Sequence, residues 1–328
     1  MKAWKKLLAL GVACSSLFFT HAEAAYMLND EVENPPAALQ MATQIGVLKY
    51  ENPDMMNARD KDAIVVLSFG TTFKDQRTKS IDATAQAIQA AHPSAKVFTA
   101  FTSHIVIKHI AEAEGSCDYM TPEETLKHLM REGYTRVALV SLDVIPGIEY
   151  KYDVALFHEY KTQFKAMTLG TPLMYWQGQE DQRDDVMQVM QSLHLPSYKK
   201  GTAILLMAHG TPDPSNAYYS VMQEKLRRMK RDDVHIYTVE GWPRLEDWAG
   251  KMKMHKVEKI ILMPLMMVAG DHANNDMAGD EEDSHKVILE KMGFKVEAKL
   301  QGLGENKKIR DIFVERADEA WNALTISN

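Results

Sequence analysis

The sequence predicts an α/β protein built from two similar, doubly wound domains with parallel sheets and a cleft between them. Short β-branched runs alternate with helix-length amphipathic stretches from residue 63 onward, the pattern of linked βαβ units. The same strand-plus-glycine segments then recur, in the same order, in the second half. About 304 residues remain once an N-terminal leader is set aside, enough for two α/β domains of ordinary size.

Lys2, Lys5 and Lys6 precede an apolar stretch from Leu7 to Thr20, and Ala22-Glu23-Ala24 gives the small-x-small pattern of a cleavage site. Residues 1–24 therefore read as a secretory signal peptide, which places the mature protein in the periplasm. No later apolar run is long enough to span a bilayer. Residues 25–60 are polar, carry Pro35-Pro36 and lack clear periodicity, so they read as an N-terminal arm. Strands are expected at Ala63–Ser68, Lys96–Ala100, Arg136–Ser141, Ala203–Met207, His235–Val239 and Lys259–Met263. Helices are expected at Ser80–Ala91, Thr121–Glu132, Asp181–Ser192 and Asn216–Arg228. The start at Thr121 is the clearest, with a capping hydroxyl, a proline and two acidic residues in the first turn. The boundaries that follow are 61–197 for an N-terminal α/β domain and 198–328 for a C-terminal one that carries the metal site.

The repeat is visible residue by residue. Ile64–Thr72 (IVVLSFGTT) resembles Ile204–Pro212 (ILLMAHGTP), and Val97–Phe101 resembles Ile236–Glu240. Leu139–Gly147 (LVSLDVIPG) resembles Leu262–Gly270 (LMPLMMVAG). Repeats of this kind give equivalent positions in the two domains. His209 then stands where the first half has Phe69, Glu240 where it has Phe101, and His272 opposite Glu149 or its neighbour.

Composition removes several function classes. Loss of three lysines and Glu23 with the leader moves the formal charge from −7 to about −9. An acidic surface argues against nucleic acid as a partner. Of the two cysteines only Cys117 lies outside the leader, so no intrachain disulfide forms and a thiolate metal site has no support.

In open parallel sheets ligands bind at the carboxyl ends of strands, where loops and helix N-termini face outward. His209, Glu240 and His272 all fall at such ends. Two imidazoles and a carboxylate suit a divalent first-row metal and leave coordination positions open. Asp276, four residues after His272, would lie on the same helix face and orient its ring. Phe69, Gly70 and Thr71, with Gly210 and Thr211, form the matching turns that would face a bound substrate through backbone N–H groups. Asp280–Asp283 reads as a solvated acidic helix start.

The segments Leu262–Asp280 (LMPLMMVAGDHANNDMAGD), Met207–Gly210 (MAHG), Val239–Pro243 (VEGWP), Ala100–Ser103 (AFTS) and Gly302–Asn306 (GLGEN) closely resemble the cobaltochelatases of the anaerobic cobalamin pathway. These enzymes act on sirohydrochlorin and belong with the class II chelatases. The resemblance runs from about residue 60 to the C-terminus. It implies two flavodoxin-like domains with the tetrapyrrole in the cleft between them. It also implies that His209 and His272 are the paired catalytic histidines and that Glu240 completes the metal-binding set. Co²⁺ is then the substrate metal, with Fe²⁺ as the alternative. ATP is not needed, and no Gly-x-x-x-x-Gly-Lys-Ser/Thr loop is present. The sequence departs from the family at Asp143, where relatives carry histidine, and in having a leader.

The competing expectation is an exported carrier of haem or another metal-tetrapyrrole, for which His104, His109 and His128 are spare candidate haem ligands. A zinc hydrolase fits poorly, because neither His-Glu-x-x-His nor a nucleophile elbow is present. A homo-oligomer is compatible with all of these readings.

Overall fold

A computed structural model describes residues 31–325 except residue 180, so the leader expected over 1–24 lies outside the described residues. The strands are β1 (Leu48–Glu51), β2 (Asp62–Ser68), β3 (Lys96–Phe101), β4 (Arg136–Ser141), β5 (Ala166–Leu169), β6 (Thr202–Ala208), β7 (Val234–Thr238), β8 (Lys259–Pro264) and β9 (Lys295–Ala298). Between and around them lie α1 (Ala37–Ala42), α2 (Lys74–Gln76), α3 (Ala83–Ala91), α4 (His104–Glu114), α5 (Pro122–Arg131) and α6 (Ile148–Tyr160). The second half adds α7 (Asp185–Ser192), α8 (Tyr218–Arg228), α9 (Leu245–Met254), α10 (His285–Lys291) and α11 (Lys307–Thr325).

Two sheets form, in the order β1-β5-β4-β2-β3 and β7-β6-β8-β9. Apart from β1, every pairing is parallel, and the parallel part of the first sheet has the same order as the second. In each half the first parallel strand sits between the second and the third. That is the flavodoxin-like order, and it creates a switch point between the first and third strands.

Alternation along the central strands explains the layering. Ile64 and Val66 of β2 and Ile204 and Leu206 of β6 belong to one core cluster that runs through both halves and includes Phe313 of α11. The intervening Val65 and Leu67 face a core found only in the first half. Leu205 and Met207 do the same in the second half. Both faces of each central strand are therefore covered, as parallel sheets require. α5 begins at the expected place, with Thr121 and Glu124 forming a reciprocal capping box.

Two boundaries differ from the sequence expectation. Leu48–Glu51, inside the stretch read as an arm, pairs antiparallel with β5 and closes the sheet edge. α11, counted with the C-terminal domain, packs on the first half instead. The Thr168 hydroxyl donates to the Ala320 carbonyl (2.8 Å), and the guanidinium of fully buried Arg316 donates to Asp185 (2.9 Å) and Glu319 (2.6 Å). The physical reason is the amphipathic stripe Ile309, Ile312, Phe313, Ala317 and Ala320, which is buried in the shared core.

Candidate active site

The loops after β2, β4, β6 and β8, the two switch points, converge on one cavity of about 300 Å³. Its lining includes Phe69, Gly70 and Thr71 after β2, and Asp143 and Glu149 after β4. The second half contributes His209, Gly210 and Thr211 after β6, and Asp271 and His272 after β8. Glu240, from the loop after β7, stands beside this wall. His104, His109 and His128 do not line the cavity; His128 rests edge-on against Phe98.

His209, Glu240 and His272 each present a donor atom, and these atoms lie within 4.8 Å of one another. Small side-chain rotations would bring all three onto one cation. The two imidazole rings are 4.9 Å apart between centroids and inclined at 75°. The Nδ1 of His209 lies 3.0 Å from the Gly210 carbonyl, and that of His272 lies 2.5 Å from an Asp276 carboxylate oxygen. Both partners are acceptors, so each ring carries its proton on Nδ1 and leaves the Nε2 lone pair for a ligand. His272 and Asp276 keep this spacing on a π-helical turn, Ala273–Met277, an irregularity common at functional sites.

Backbone packing sets the separation between His209 and Glu240. Gly210 has φ +90°, and a Cβ there would come within 2.6 Å of the Gly241 nitrogen and 2.8 Å of the Glu240 carbonyl carbon. Only glycine lets the two loops approach this closely. The Glu240 N–H donates to the His209 carbonyl (2.8 Å). Asn216 spans both loops, accepting from Thr211 N–H (3.3 Å) and donating to the Trp242 carbonyl (2.7 Å). The Gly210 N–H donates to the Tyr219 hydroxyl (3.2 Å), whose buried phenol is pushed up to about 12 by desolvation. The Gly210 and Thr211 N–H groups are thus engaged within the protein, while both residues line the cavity. Asn216 and Tyr219, which hold the turn, were not singled out in the sequence.

The sheet register also corrects one equivalence. Ser68 pairs with Phe101, and the equivalent Ala208 pairs with Thr238. Ser103 N–H donates to the Phe69 carbonyl (3.3 Å) as Glu240 N–H does to His209. The counterpart of Glu240 is therefore Ser103, which caps α4, while Phe101 is buried and stacked on Tyr119 at 4.0 Å. The match of His272 to Glu149 agrees with the register, since Leu67 pairs with Ser141 and Met207 with Pro264.

Across from the histidines, Asp143 accepts from the Ser141 hydroxyl (3.0 Å). Burial, then the nearby Glu149 carboxylate, push its carboxyl up to about 7 against the pull of that hydroxyl. Asp153 on α6 is buried and is raised further, chiefly by desolvation and then by Asp143.

Gln76 and Thr71 of the first half meet the loop after β8: the Ala269 N–H donates to the Gln76 side chain (3.2 Å). The Gly302–Asn306 segment braces the same loop, with Leu303 and Gly304 N–H donating to Met266 and Met267 carbonyls (2.9 and 3.0 Å). That segment holds the site without lining it.

Residues 62–322 match the model of the family described as cobalt chelatase (CbiK). A sirohydrochlorin cobaltochelatase of Salmonella typhimurium is 34% identical over 264 residues, covering 80% of this chain and 97% of the relative. Another, from Nitratidesulfovibrio vulgaris, is 30% identical over 282 residues, covering 85% and 97%. Among solved structures, a multi-domain Deinococcus radiodurans protein with structural similarity to chelatases superposes with a TM-score of 0.49 at 14% identity, covering 79% of this chain and 55% of that one.

Proposed function

The chain belongs to the cobalt chelatase family, and from that premise we propose that it inserts Co²⁺ into sirohydrochlorin, with His209, Glu240 and His272 holding the cation. The observation that carries the site assignment is the convergence of their donor atoms within 4.8 Å at the switch point of the second sheet. In this reading Co²⁺ is a substrate. The Nε2 lone pairs of His209 and His272 and the Glu240 carboxylate replace part of its water shell and leave positions open toward the cleft. The macrocycle lies between the two halves, against Phe69 on one wall and the histidines on the other. Insertion becomes a ligand exchange between positioned partners, from imidazole and carboxylate to pyrrole nitrogen. Binding and positioning account for the step without a nucleotide.

Fe²⁺ is the alternative metal on this donor set, since imidazole and carboxylate accept both. The basic, apolar and small-residue pattern of residues 1–24 supports export to the periplasm as part of the same proposal; cell fractionation checks it. The haem-carrier reading expects its candidate ligands His104 and His128 away from the cleft, so the cavity lining does not bear on it.

Purified protein mixed with sirohydrochlorin and Co²⁺, without ATP, should change the tetrapyrrole absorbance faster than the uncatalysed mixture. His209→Ala and His272→Ala should each lower kcat/KM by about 10³-fold. Full activity in either variant would remove these residues from the mechanism.

A further inference from the structure

Metal insertion releases two protons from the pyrrole nitrogens, and the histidines cannot accept them while they hold the cation. Their Nε2 lone pairs are then donated to metal, and their Nδ1 atoms face Gly210 and Asp276. A base must come from elsewhere in the cleft. Asp271 also borders the cavity, but it is exposed and accepts from Asn275 (2.8 Å).

Asp143 differs. It lines the cavity on the wall of the first half, held by Ser141. Behind it, on the inner face of α6, Asp153 is 1% exposed, and its carboxyl lies within hydrogen-bonding reach of Asp143 and Ser141. The groups that face this pair are Ser141 on β4 and Glu149 and Tyr150 on α6. None is cationic, so the buried carboxyl of Asp153 and the partly buried one of Asp143 share one small space without a counter-charge among the described residues. Such pairs hold a proton near neutral pH, because both members cannot ionise together.

We propose that Asp143 is a catalytic base of the metal-insertion step, with Asp153 as its positioning partner. Each of the two pyrrole N–H bonds breaks in turn: its electron pair becomes a nitrogen–metal bond and its proton forms an O–H bond on Asp143, which is free for the second once the first has left. Each proton leaves through the open side of the cleft to water. This inference rests on the chelatase reading. An ordinary solvated carboxylate would be too acidic to hold such a proton, whereas one lifted toward neutrality is matched to the task.

Asp143→Asn, Asp143→Glu and Glu149→Gln would be compared with the parent protein using sirohydrochlorin and Co²⁺. Asp143→Asn should lower kcat by about 100-fold, while the Co²⁺ dissociation constant, measured by calorimetry, stays within about twofold of the parent. Asp143→Glu, which keeps a carboxyl in the cleft, should recover part of the loss. Glu149→Gln should move the acid limb of the kcat profile to lower pH, since its carboxylate raises Asp143. Parental kcat and an unchanged pH profile in Asp143→Asn would overturn the proposal. Parent protein that binds Co²⁺ but never turns over would overturn the chelatase reading, and this inference with it.

Discussion

The two halves share a strand order, a pair of glycine turns and a switch point, yet they place different chemistry there. After β6 and β8 the second half presents two imidazoles with lone pairs free for metal. At the equivalent ends of β2 and β4 the first half presents an exposed phenylalanine, Phe69, and the acidic group of Asp143, Glu149 and Asp153. Even the pairing four residues apart is preserved in position and inverted in environment. His272 and Asp276 are partly exposed and bonded, whereas Asp153, four residues after Glu149, is buried against another carboxyl. Duplication supplied one scaffold twice; the cleft works because the copies diverged at its lining.

The comparison breaks most severely if the halves are not independent, and α11 tests that. Arg316 is fully buried against Asp185, itself fully buried, and Glu319 also accepts from it. Arg316→Leu removes the buried guanidinium from a network in which Arg183 still donates to Asp185 and Glu319, and should cost about 3 kcal/mol in urea unfolding. Replacing Asp185 by an apolar residue as well should add to the loss, because the Tyr175 and Trp176 N–H groups then lose their acceptor. If the single change cost less than about 1 kcal/mol, the helix would not be what ties residues 307–325 to the first half.

Gly210 and Gly70 sharpen the comparison, since both have φ +90°. A Cβ on Gly210 meets backbone of the Glu240–Gly241 loop, which cannot rotate away. On Gly70 it meets the Phe101 ring at 2.6 Å, a buried side chain rather than backbone. Gly210→Ala should therefore destabilise by about 3 kcal/mol and Gly70→Ala by about 1–2 kcal/mol. Gly210→Ala should also weaken Co²⁺ binding, because it separates His209 from Glu240. Equal costs and equal metal affinity would show that the close approach does not set the donor spacing.

Asp276→Asn probes the second half alone. It keeps a hydrogen-bonding group beside His272 but removes the charge that makes the ring more basic, so Co²⁺ affinity should fall about 10-fold. Calorimetry reads it directly.

Much of this was legible in the sequence, and the failures have local causes. Long β-branched runs such as Ala63–Ser68 and Lys259–Met263 carry their period plainly, so the central strands were found within a residue or two. Leu48–Glu51, Ala166–Leu169 and Lys295–Ala298 are four residues each, too short to show alternation. Ile148–Tyr160 was missed because Tyr150, Asp153, Leu156, Phe157 and Tyr160 mix polar and apolar groups on the buried face. The slip that matched Glu240 to Phe101 arose because similar strings can be aligned two residues apart, while hydrogen bonds fix one register. Asp143 stood out only as a departure from the family. Its buried partner Asp153 is ten residues away on a helix, and nothing in the string marks the two carboxyls as neighbours.

The smallest expected effect concerns that partner. Asp153 has a raised pKa in the folded protein, through burial first and Asp143 second. The native state therefore binds more protons than the unfolded chain once pH exceeds about 4, the ordinary carboxylate value. Its contribution is fully favourable below that point and is lost as pH rises toward its folded pKa. Asp153→Asn removes the titration while keeping the side chain's size. Unfolding free energies of the variant and the parent should be similar near pH 5. By pH 8 the variant should be the more stable, by on the order of 1 kcal/mol. Parallel pH curves for Asp153→Asn and the parent would mean that the two halves differ in their ligands but not in stored charge.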